Sequence, residues 1–394
     1  MKKSDCAPRL LATLFQFLLL ICSASADEPL SADAILDRPP SFRVESVRVR
    51  YSHFEQMGLG YQSQDGPARG PGSESLTVEQ PQLEIVAKQG KRTTHRLWIP
   101  LDVVTAASPD AVDRLHGVDT ISHASRINEG GSVDLTTQYR ADRETSLFLR
   151  GNYHMEEQFR SWALGAGMAR SLAEDNAVVV ASVYQVYDWF DSFLTNGLRV
   201  GHASRSTSNG NLGLTQLLSP TTVAHVNYGV TLQVGELGNT WNSVPLLEGG
   251  RSQEHLPTLR HRHAFVARLA QWLPWQGALK AFYRFYLDDW GILAHTWESE
   301  LYQRMGPRAY LRLNYRFHQQ TGADFFTTLS QTSAGLQTAD SDLAPLSAHT
   351  FGIMTAIDFP LKHIAGHLDI GLERYLRSNG LHASIVSCSL GLRF

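Results

Sequence analysis

The chain has 394 residues, of which 43% are hydrophobic and only 19% are charged, and its formal net charge is -3. This composition is too apolar for a disordered chain and carries less charge than the roughly one quarter typical of soluble domains. No basic excess is present to collect phosphates, so nucleic-acid binding is not expected. The composition favours a folded protein with much of its surface in apolar surroundings.

The N-terminus has the three parts of a secretory signal peptide. A basic pair, Lys2-Lys3, precedes an apolar run over residues 10–21, and residues 24–26 read Ala-Ser-Ala, an A-x-A cleavage site. About a dozen apolar residues cannot cross a hydrocarbon core, which needs about 20. We therefore predict a signal peptide over residues 1–26 rather than a membrane anchor.

The remaining chain is expected to divide into a periplasmic N-terminal segment over residues 27–41 and a barrel over residues 42–394. Two of the three cysteines leave with the signal peptide, and Cys388 remains alone. A single cysteine excludes an intrachain disulfide and a cysteine metal cluster in the mature chain. We interpret Cys388 as a small apolar residue in a strand.

Hydrophobicity after the signal alternates with a period of two residues, which indicates β-strands. No apolar run of membrane-helix length occurs, and a closed barrel is the only other structure that satisfies every backbone group in lipid. At the C-terminus, Val386 and Leu390 alternate with Ser387 and Ser389, for example. We predict strands near 42–57, 75–87, 92–104, 129–140, 145–155, 158–170, 176–187, 211–218, 222–234, 260–271, 277–287, 293–304, 308–318, 347–358, 366–376 and 382–394.

The connections between these strands alternate in length. Links after even-numbered strands are short and rich in turn residues, whereas long Gly-, Ser- and Asn-rich segments fall on the other side, at 58–74, 105–128, 188–210, 235–259 and 319–346. A soluble sandwich shows the same alternation within strands but has no reason for this asymmetry. The expected fold is an all-β, closed antiparallel transmembrane β-barrel of about 16 strands, with short periplasmic turns and long extracellular loops.

Aromatic residues near predicted strand ends agree with interfacial girdles, although ordinary core aromatics explain any single one equally well. The residues concerned are Trp272, Trp275, Trp290, Trp297, Tyr310, Tyr315 and Tyr375.

The centre of the chain resembles a known family. The block consists of Arg260-His261-Arg262-His263-Ala264, Arg268, the run Tyr-Arg-Phe-Tyr-Leu-Asp-Asp-Trp-Gly-Ile over 283–292, and His295-Thr296. It is similar to the hallmark of a Gram-negative outer-membrane β-barrel family of uncharacterised proteins, the domain of unknown function number thirty-five-seventy. The resemblance implies a barrel in the outer membrane and no particular activity. Its members are often encoded near flavin-transferase-like and thioredoxin-like proteins, which makes an envelope redox assembly a conceivable setting.

Twelve charged residues of the predicted strands share the face opposite to the apolar one, because Arg or Lys facing lipid at mid-depth costs roughly 2–4 kcal/mol. Two interpretations remain open: a water-filled pore with selectivity charges, or a cross-barrel lattice of salt bridges that stiffens the interior, and we favour the lattice. The lumen-facing candidates are Arg262, Arg268, Lys280, Arg284, Glu298, Glu300, Arg304, Arg312, Arg316, Asp358, Asp369 and Glu373.

Two smaller motifs are ambiguous. Asp288 and Asp289 precede Trp290-Gly291 at a tight bend, where turn chemistry is favoured over an ion site because the spacing does not follow a calcium-binding loop. His261 and His263 share a strand face, as metal ligands would, and with the interleaved arginines they also suit lipopolysaccharide phosphates, although a plain polar rim explains them best.

No nucleophile elbow, metalloprotease motif or phosphate-binding glycine loop is present, so we expect no enzyme and no cofactor. The function favoured from sequence is a channel for small polar solutes or ions. The alternatives are a plugged structural or interaction barrel, and an interfacial lipid hydrolase with a Ser/His pair on its lipid-facing surface. Expected partners are outer-membrane lipid and lipopolysaccharide, and the barrel-assembly machinery through the strand ending in Phe394. A periplasmic partner stays open.

Overall fold

The computed structural model describes residues 42–58, 74–104, 128–194, 198–239, 242–361 and 364–394. The predicted signal peptide and N-terminal segment lie outside these residues. No helix within the described ranges is long and apolar enough to cross a membrane.

Sixteen antiparallel strands close into one barrel, which confirms the predicted fold class. Each barrel strand pairs with the barrel strands before and after it in sequence, and the first also pairs with the last, so the barrel has no open edge. A separate two-stranded hairpin lies in the loop between the ninth and tenth barrel strands. The strands are β1 (Phe42–Met57), β2 (Leu76–Gln89), β3 (Thr93–Val104), β4 (Asn128–Arg140), β5 (Thr145–Met155), β6 (Phe159–Leu172), β7 (Ala177–Phe193), β8 (Arg199–Ser219), β9 (Thr222–Gly235), β10 (Ser243–Pro245), β11 (Arg251–Gln253), β12 (Leu259–Leu273), β13 (Gly277–Asp288), β14 (Leu293–Arg304), β15 (Ala309–Gln320), β16 (Leu346–Leu361), β17 (Ile364–Arg377) and β18 (His382–Arg393).

The alternation in sequence becomes an apolar outer face and a polar inner face. On β4, Val133 and Leu135 are 49% and 47% exposed on the outside, whereas Asp134 between them is 3% exposed on the inside. Successive side chains of a strand point to opposite faces, and leaving so many large apolar groups in water would be costly. The outer face therefore suits a hydrocarbon environment, and every barrel strand has at least 11 residues, enough to cross it with the roughly 9–11 needed.

One hairpin is longer than the sequence predicted. β7 continues to Phe193 instead of ending near 187, and β8 begins at Arg199 instead of 211, so most of the predicted loop 188–210 is paired strand. Its Ser, Gly and Asn residues have low strand propensity, but the continuous ladder between the two strands supplies their backbone hydrogen bonds. This hairpin projects beyond its neighbours.

The two rims differ as predicted. One rim, called here the short-turn rim, carries connections such as 90–92, 141–144, 173–176 and 274–276. The other, the long-loop rim, carries residues 236–258, with the β10–β11 hairpin, and residues 321–345, with a single 3₁₀ turn at Ser341–Leu343. The predicted loops at 58–74 and 105–128 fall almost entirely outside the described residues.

Candidate functional site

All twelve predicted lumen residues lie on the inner face of the wall. In the strand register, Lys280 is opposite Glu300 and Glu298 is opposite Arg316, whereas the exposed apolar residues occupy the alternate positions. This placement gives their orientation and leaves their role open.

Six of the twelve form ion pairs, as one separate pair and one linked set of four residues. Arg316 contacts Glu298 at 2.9 Å. Arg312 lies between two carboxylates, 3.7 Å from Glu300 and 3.5 Å from Glu373, and Lys280 is 3.9 Å from Glu300. Charged groups of β13, β14, β15 and β17 are thereby linked across the wall, as in the lattice interpretation.

The other six have varied surroundings. The Arg268 guanidinium lies 5.2 Å from the centre of the Phe282 ring, and the Arg284 guanidinium lies 5.2 Å from that of Tyr286. Arg262 is 6% exposed and is opposite Asp288 in the strand register.

Near the short-turn rim, Arg304 donates to the Pro307 carbonyl at 3.2 Å, Asp358 hydrogen-bonds His367 at 2.7 Å, and Asp369 accepts from the Ser389 hydroxyl at 2.7 Å. A cavity of about 230 Å³ lies beside these residues, lined among others by Trp272, Tyr302, Arg304, Tyr310 and Asp358.

The sequence analysis missed equivalent pairs in the N-terminal half of the barrel. Arg96 contacts Glu84 at 2.6 Å, Arg150 contacts Asp134 at 2.7 Å, and Arg205 contacts Asp188 at 2.7 Å. The parity rule that identified the other inner residues would have found these too, because each carboxylate alternates with outward residues.

Asp288 holds a turn and pairs with an arginine. Its Oδ1 accepts from the backbone N–H groups of Trp290 at 3.1 Å and Ile292 at 2.9 Å, and its Oδ2 accepts from Arg260 at 2.5 Å. Asp289 accepts from the His261 backbone N–H at 2.9 Å. These contacts agree with the turn interpretation, and the described part of the chain holds no group of three or more His, Cys, Asp or Glu arranged for a metal.

Trp290 corrects a girdle prediction, and so do Trp272, Tyr310 and Tyr375, which take inner-face positions in the strand register. Trp290 is 4% exposed, its indole N–H donates to the Leu259 carbonyl at 3.0 Å, and the Arg260 guanidinium lies 4.1 Å from its ring centre. It packs inside the long-loop rim instead of facing lipid. Trp297 and Tyr315, by contrast, are exposed on the outer face.

The two long loops pack together and against the inner wall, and we call them the cap (residues 236–239, 242–258 and 321–345). Leu343 and Ala323 of the cap form an apolar cluster with Tyr286 and Ala294 of the wall. Burying such groups contributes about 25 cal/mol per Å² of apolar area removed from water. The loop over 321–345 therefore folds into the barrel mouth.

Contacts at several points around the barrel hold the cap. Arg377 of β17 donates to Asp342 at 2.6 Å, and Ser341 hydrogen-bonds Glu74, just before β2. Gln253 donates to the Phe193 carbonyl at the end of β7, at 2.7 Å. Because β2, β7 and β17 are separated around the barrel, the cap reaches across the mouth.

Within the cap, a buried carboxyl joins the two loops. Glu254 accepts from the Asn239 backbone N–H at 2.6 Å and from the Thr338 hydroxyl at 2.8 Å. Asn242 donates to Asp340 at 3.1 Å, which places a second buried carboxyl nearby. Burial first, and then the charge of Asp340, raise the pKa of Glu254 to about 8.

One Ser–His–Glu set lies on the inner wall. The Ser132 hydroxyl is 2.8 Å from Nδ1 of His154, and Nε2 of His154 is 2.8 Å from Glu156. The pair faces inward and not toward lipid, where the hydrolase alternative needs it. The same arrangement occurs elsewhere without a serine or a carboxylate. The Thr296 hydroxyl is 2.9 Å from Nδ1 of His318, and Nε2 of His318 is 3.2 Å from Oε1 of Gln320. The hydroxyl–imidazole pair is therefore a recurrent cross-strand contact of this wall.

The fold and site define a closed antiparallel barrel with an apolar exterior, a charged interior and a loop cap. The chain belongs to the family described as "Protein of unknown function (DUF3570)", which matches residues 190–386. Among curated proteins, none matches this chain.

Several solved structures are similar in fold. A BenF-like porin from Pseudomonas fluorescens Pf-5 has 7% identity and a TM-score of 0.45, covering 90% of this chain and 99% of the porin. OccK1 (OpdK) from Pseudomonas aeruginosa has 7% identity and a TM-score of 0.43, covering 90% of this chain and 98% of that one. The siderophore receptor PirA from Acinetobacter baumannii has 7% identity and a TM-score of 0.43, covering 84% of this chain. This chain spans 53% of that receptor's length. At these values the similarity carries no argument about function.

Proposed function

We propose that this protein is a gated channel for small polar solutes or ions in the outer membrane of a Gram-negative bacterium. The observation that supports it is the exposure of charged inner-wall groups below the cap. The side chain of Lys280 is 50% exposed and that of Asp358 is 64% exposed. Charged groups that retain contact with water inside a barrel with an apolar exterior line an aqueous space, and a barrel of 16 strands is wide enough for one.

The cap makes the channel gated. Side-chain contacts at β2, β7, β15 and β17 and an apolar cluster fasten it, whereas the wall is a continuous hydrogen-bonded ladder. Local opening draws on the least stable parts of a structure. The cap can therefore loosen while the barrel stays closed, and that loosening opens the mouth.

The interior favours anions. Seven of the twelve lumen residues from the sequence analysis are cationic and five are anionic. Among the described residues, no carboxylate pairs with Arg268, whose contact is the Phe282 ring. Unneutralised cations along a pore raise the local anion concentration. We therefore expect weak anion selectivity.

The test is single-channel conductance of the refolded protein in a planar bilayer. Wild type is compared with Arg268→Gln and with the control Arg170→Gln, which makes the same change on the outer face, where Arg170 is exposed beside Glu144. We expect anion selectivity to fall in Arg268→Gln only.

A variant that lacks most of the 321–345 loop of the cap keeps the test decisive if the wild-type channel is closed. The Ala323 N–H donates to the Leu343 carbonyl at 2.8 Å, so a Gly-Gly linker can replace residues 324–342. Channels in the deleted variant support the proposal. Silence of both proteins, each shown to be folded and inserted, would overturn it in favour of the plugged interaction barrel.

A further inference from the structure

A continuous arc of rings covers the outer face of six neighbouring strands, from β9 through β12 to β16. Ring centres follow one another from Tyr228 to Phe265 at 4.8 Å, Phe265 to Phe285 at 6.3 Å and Phe285 to His295 at 5.2 Å. The arc continues from His295 to Trp297 at 5.6 Å, Trp297 to Phe317 at 5.7 Å and Phe317 to His349 at 5.0 Å.

Three histidines of this arc are each held by a tyrosine of the adjacent strand. The Tyr228 hydroxyl is 2.8 Å from Nδ1 of His263, that of Tyr283 is 2.7 Å from Nδ1 of His295, and that of Tyr315 is 3.0 Å from Nδ1 of His349. A phenol is a stronger donor than a neutral imidazole, and a hydroxyl that donates to Nδ1 leaves the ring proton on Nε2. In that tautomer each imidazole has an Nε2–H donor for an external acceptor.

These histidines are conspicuous because their surroundings carry no charge. The outer face of β12, β13, β14, β15 and β16 consists of their odd-numbered residues, and none of these is Asp, Glu, Lys or Arg. Apart from tyrosines, the ionisable residues on this outer face are His261, His263, His295 and His349. All four lie within four residues of the long-loop end of their strands. All four therefore lie near the long-loop rim.

A fixed cation lies at the edge of the arc. Arg374 of β17 is exposed on the outer face, opposite Phe351 of β16, and donates to the Ser384 hydroxyl at 2.6 Å. Imidazole N–H donors and a guanidinium near the same rim are complementary to anions with several oxygen acceptors.

We propose that this arc binds phosphate groups of outer-leaflet lipid headgroups, with the Nε2–H groups of His263, His295 and His349 each donating to a separate phosphate oxygen along the arc. The proposal rests on the membrane placement in the proposed function. The aromatic rings occupy the interfacial depth that such side chains prefer, and the imidazoles reach the headgroup layer above them. The acyl chains of these lipids lie along the uncharged outer face of β12, β13, β14, β15 and β16.

The test measures how much phosphorylated lipid A stays on the purified full-length barrel after detergent washing, by native mass spectrometry. The variant is the triple substitution His263→Phe, His295→Phe and His349→Phe, which keeps the rings and removes the donors. The control is His202→Phe on β8, a ring outside the arc whose Nδ1 is bound to Asp191 at 2.8 Å. Unchanged heat-modifiable migration on gels verifies that each variant is folded.

We expect the triple variant to lose lipid A retention at least about tenfold, the size of one charge-assisted hydrogen bond, while His202→Phe retains it. Dephosphorylated lipid A should bind the wild type as weakly as phosphorylated lipid A binds the triple variant. Tyr283→Phe, which frees the tautomer of His295, should give a smaller loss.

Equal retention of phosphorylated and dephosphorylated lipid would overturn the proposal. So would full competition by inorganic phosphate, which would assign the donors to a free ion, or a wild-type dimer that the triple variant breaks, which would make the arc an interface between copies. Channel conductance of the triple variant should be unchanged. Its loss of lipid is therefore distinguishable from failure of the channel function.

Discussion

Arg377 of β17 donates a hydrogen bond from Nη1 to Oδ1 of Asp342 at 2.6 Å and so ties the cap directly to the barrel wall. The side chain of Arg377 is only 1% exposed, and Asp342 is 18% exposed. Removing one member of such a buried pair leaves the other without its compensating charge, which is strongly destabilising. The contact therefore controls how firmly the mouth is covered.

Arg377→Met should loosen the cap and leave the barrel intact. We expect limited proteolysis within residues 321–345 to accelerate at least about tenfold, because local opening of the loop becomes more populated. Arg374→Met, three residues earlier and exposed on the outer face, is the control. Equal cleavage rates in the two variants would show that Arg377 does not hold the cap.

The cap should loosen as the pH rises. Burial and the neighbouring Asp340 raise the pKa of Glu254 from 4.5 to about 8, so the closed cap holds a proton that the open loop releases. The stabilisation is fully present below pH 4.5 and is lost as the pH rises through about 8. Channel open probability should increase over this range and level off above about pH 8.

Glu254→Gln keeps the shape of this side chain and cannot ionise. Its channel open probability should stay low and nearly independent of pH between pH 6 and 9. Any remaining pH dependence should come from Asp340, whose pKa is raised by burial and lowered by Arg377 and Arg260. A wild-type response that persists unchanged in Glu254→Gln would assign the pH dependence to another group.

The inner ion pairs should matter most where they are buried. The Arg205 and Asp188 side chains are 3% and 8% exposed. Arg205→Met should lower the free energy of unfolding by about 3–5 kcal/mol, and adding Asp188→Leu should recover most of the loss. Urea unfolding in lipid vesicles gives the values. The exposed pair Arg170 and Glu144 is the comparison, where Arg170→Met should cost at most about 1 kcal/mol.

Ser132 should not behave as a nucleophile. A fluorophosphonate probe applied to the folded barrel is expected to give the same labelling in wild type and in Ser132→Ala, because the hydroxyl–imidazole contact recurs at Thr296 and His318. Labelling that disappears in Ser132→Ala would instead revive the hydrolase alternative, now placed on the inner wall.

Period-two alternation was enough to predict most of the fold, because one face of a barrel strand lies in apolar surroundings and the other in polar surroundings. The predicted strand 293–304 coincides with β14, and 382–394 matches β18 to within one residue. The rule failed for β8, where residues 199–210 stay paired although their Gly, Ser and Asn side chains resemble a loop. Backbone pairing with β7 holds them, and a single segment does not reveal its partner.

The site was less predictable because it depends on contacts between distant segments. Parity places Glu298 and Arg316 on the inner face, but the contact of Glu254 with Thr338 brings together two loops far apart in sequence. Trp290 was misplaced for the same reason: a strand-end tryptophan suits a lipid interface or a covered mouth, and only packing against Arg260 distinguishes them.

The aromatic arc makes the barrel directional within the membrane plane. On β6, β7 and β8, outside the arc, outer ring contacts are separate pairs such as Trp162 with Tyr187 and Trp189 with His202. A barrel with a continuous arc of rings on one part of its wall does not present the same surface to all neighbours. Lipids and proteins around the barrel will contact different surfaces on different sides. The outer wall itself therefore determines how the barrel is oriented, about its own axis, relative to these neighbours.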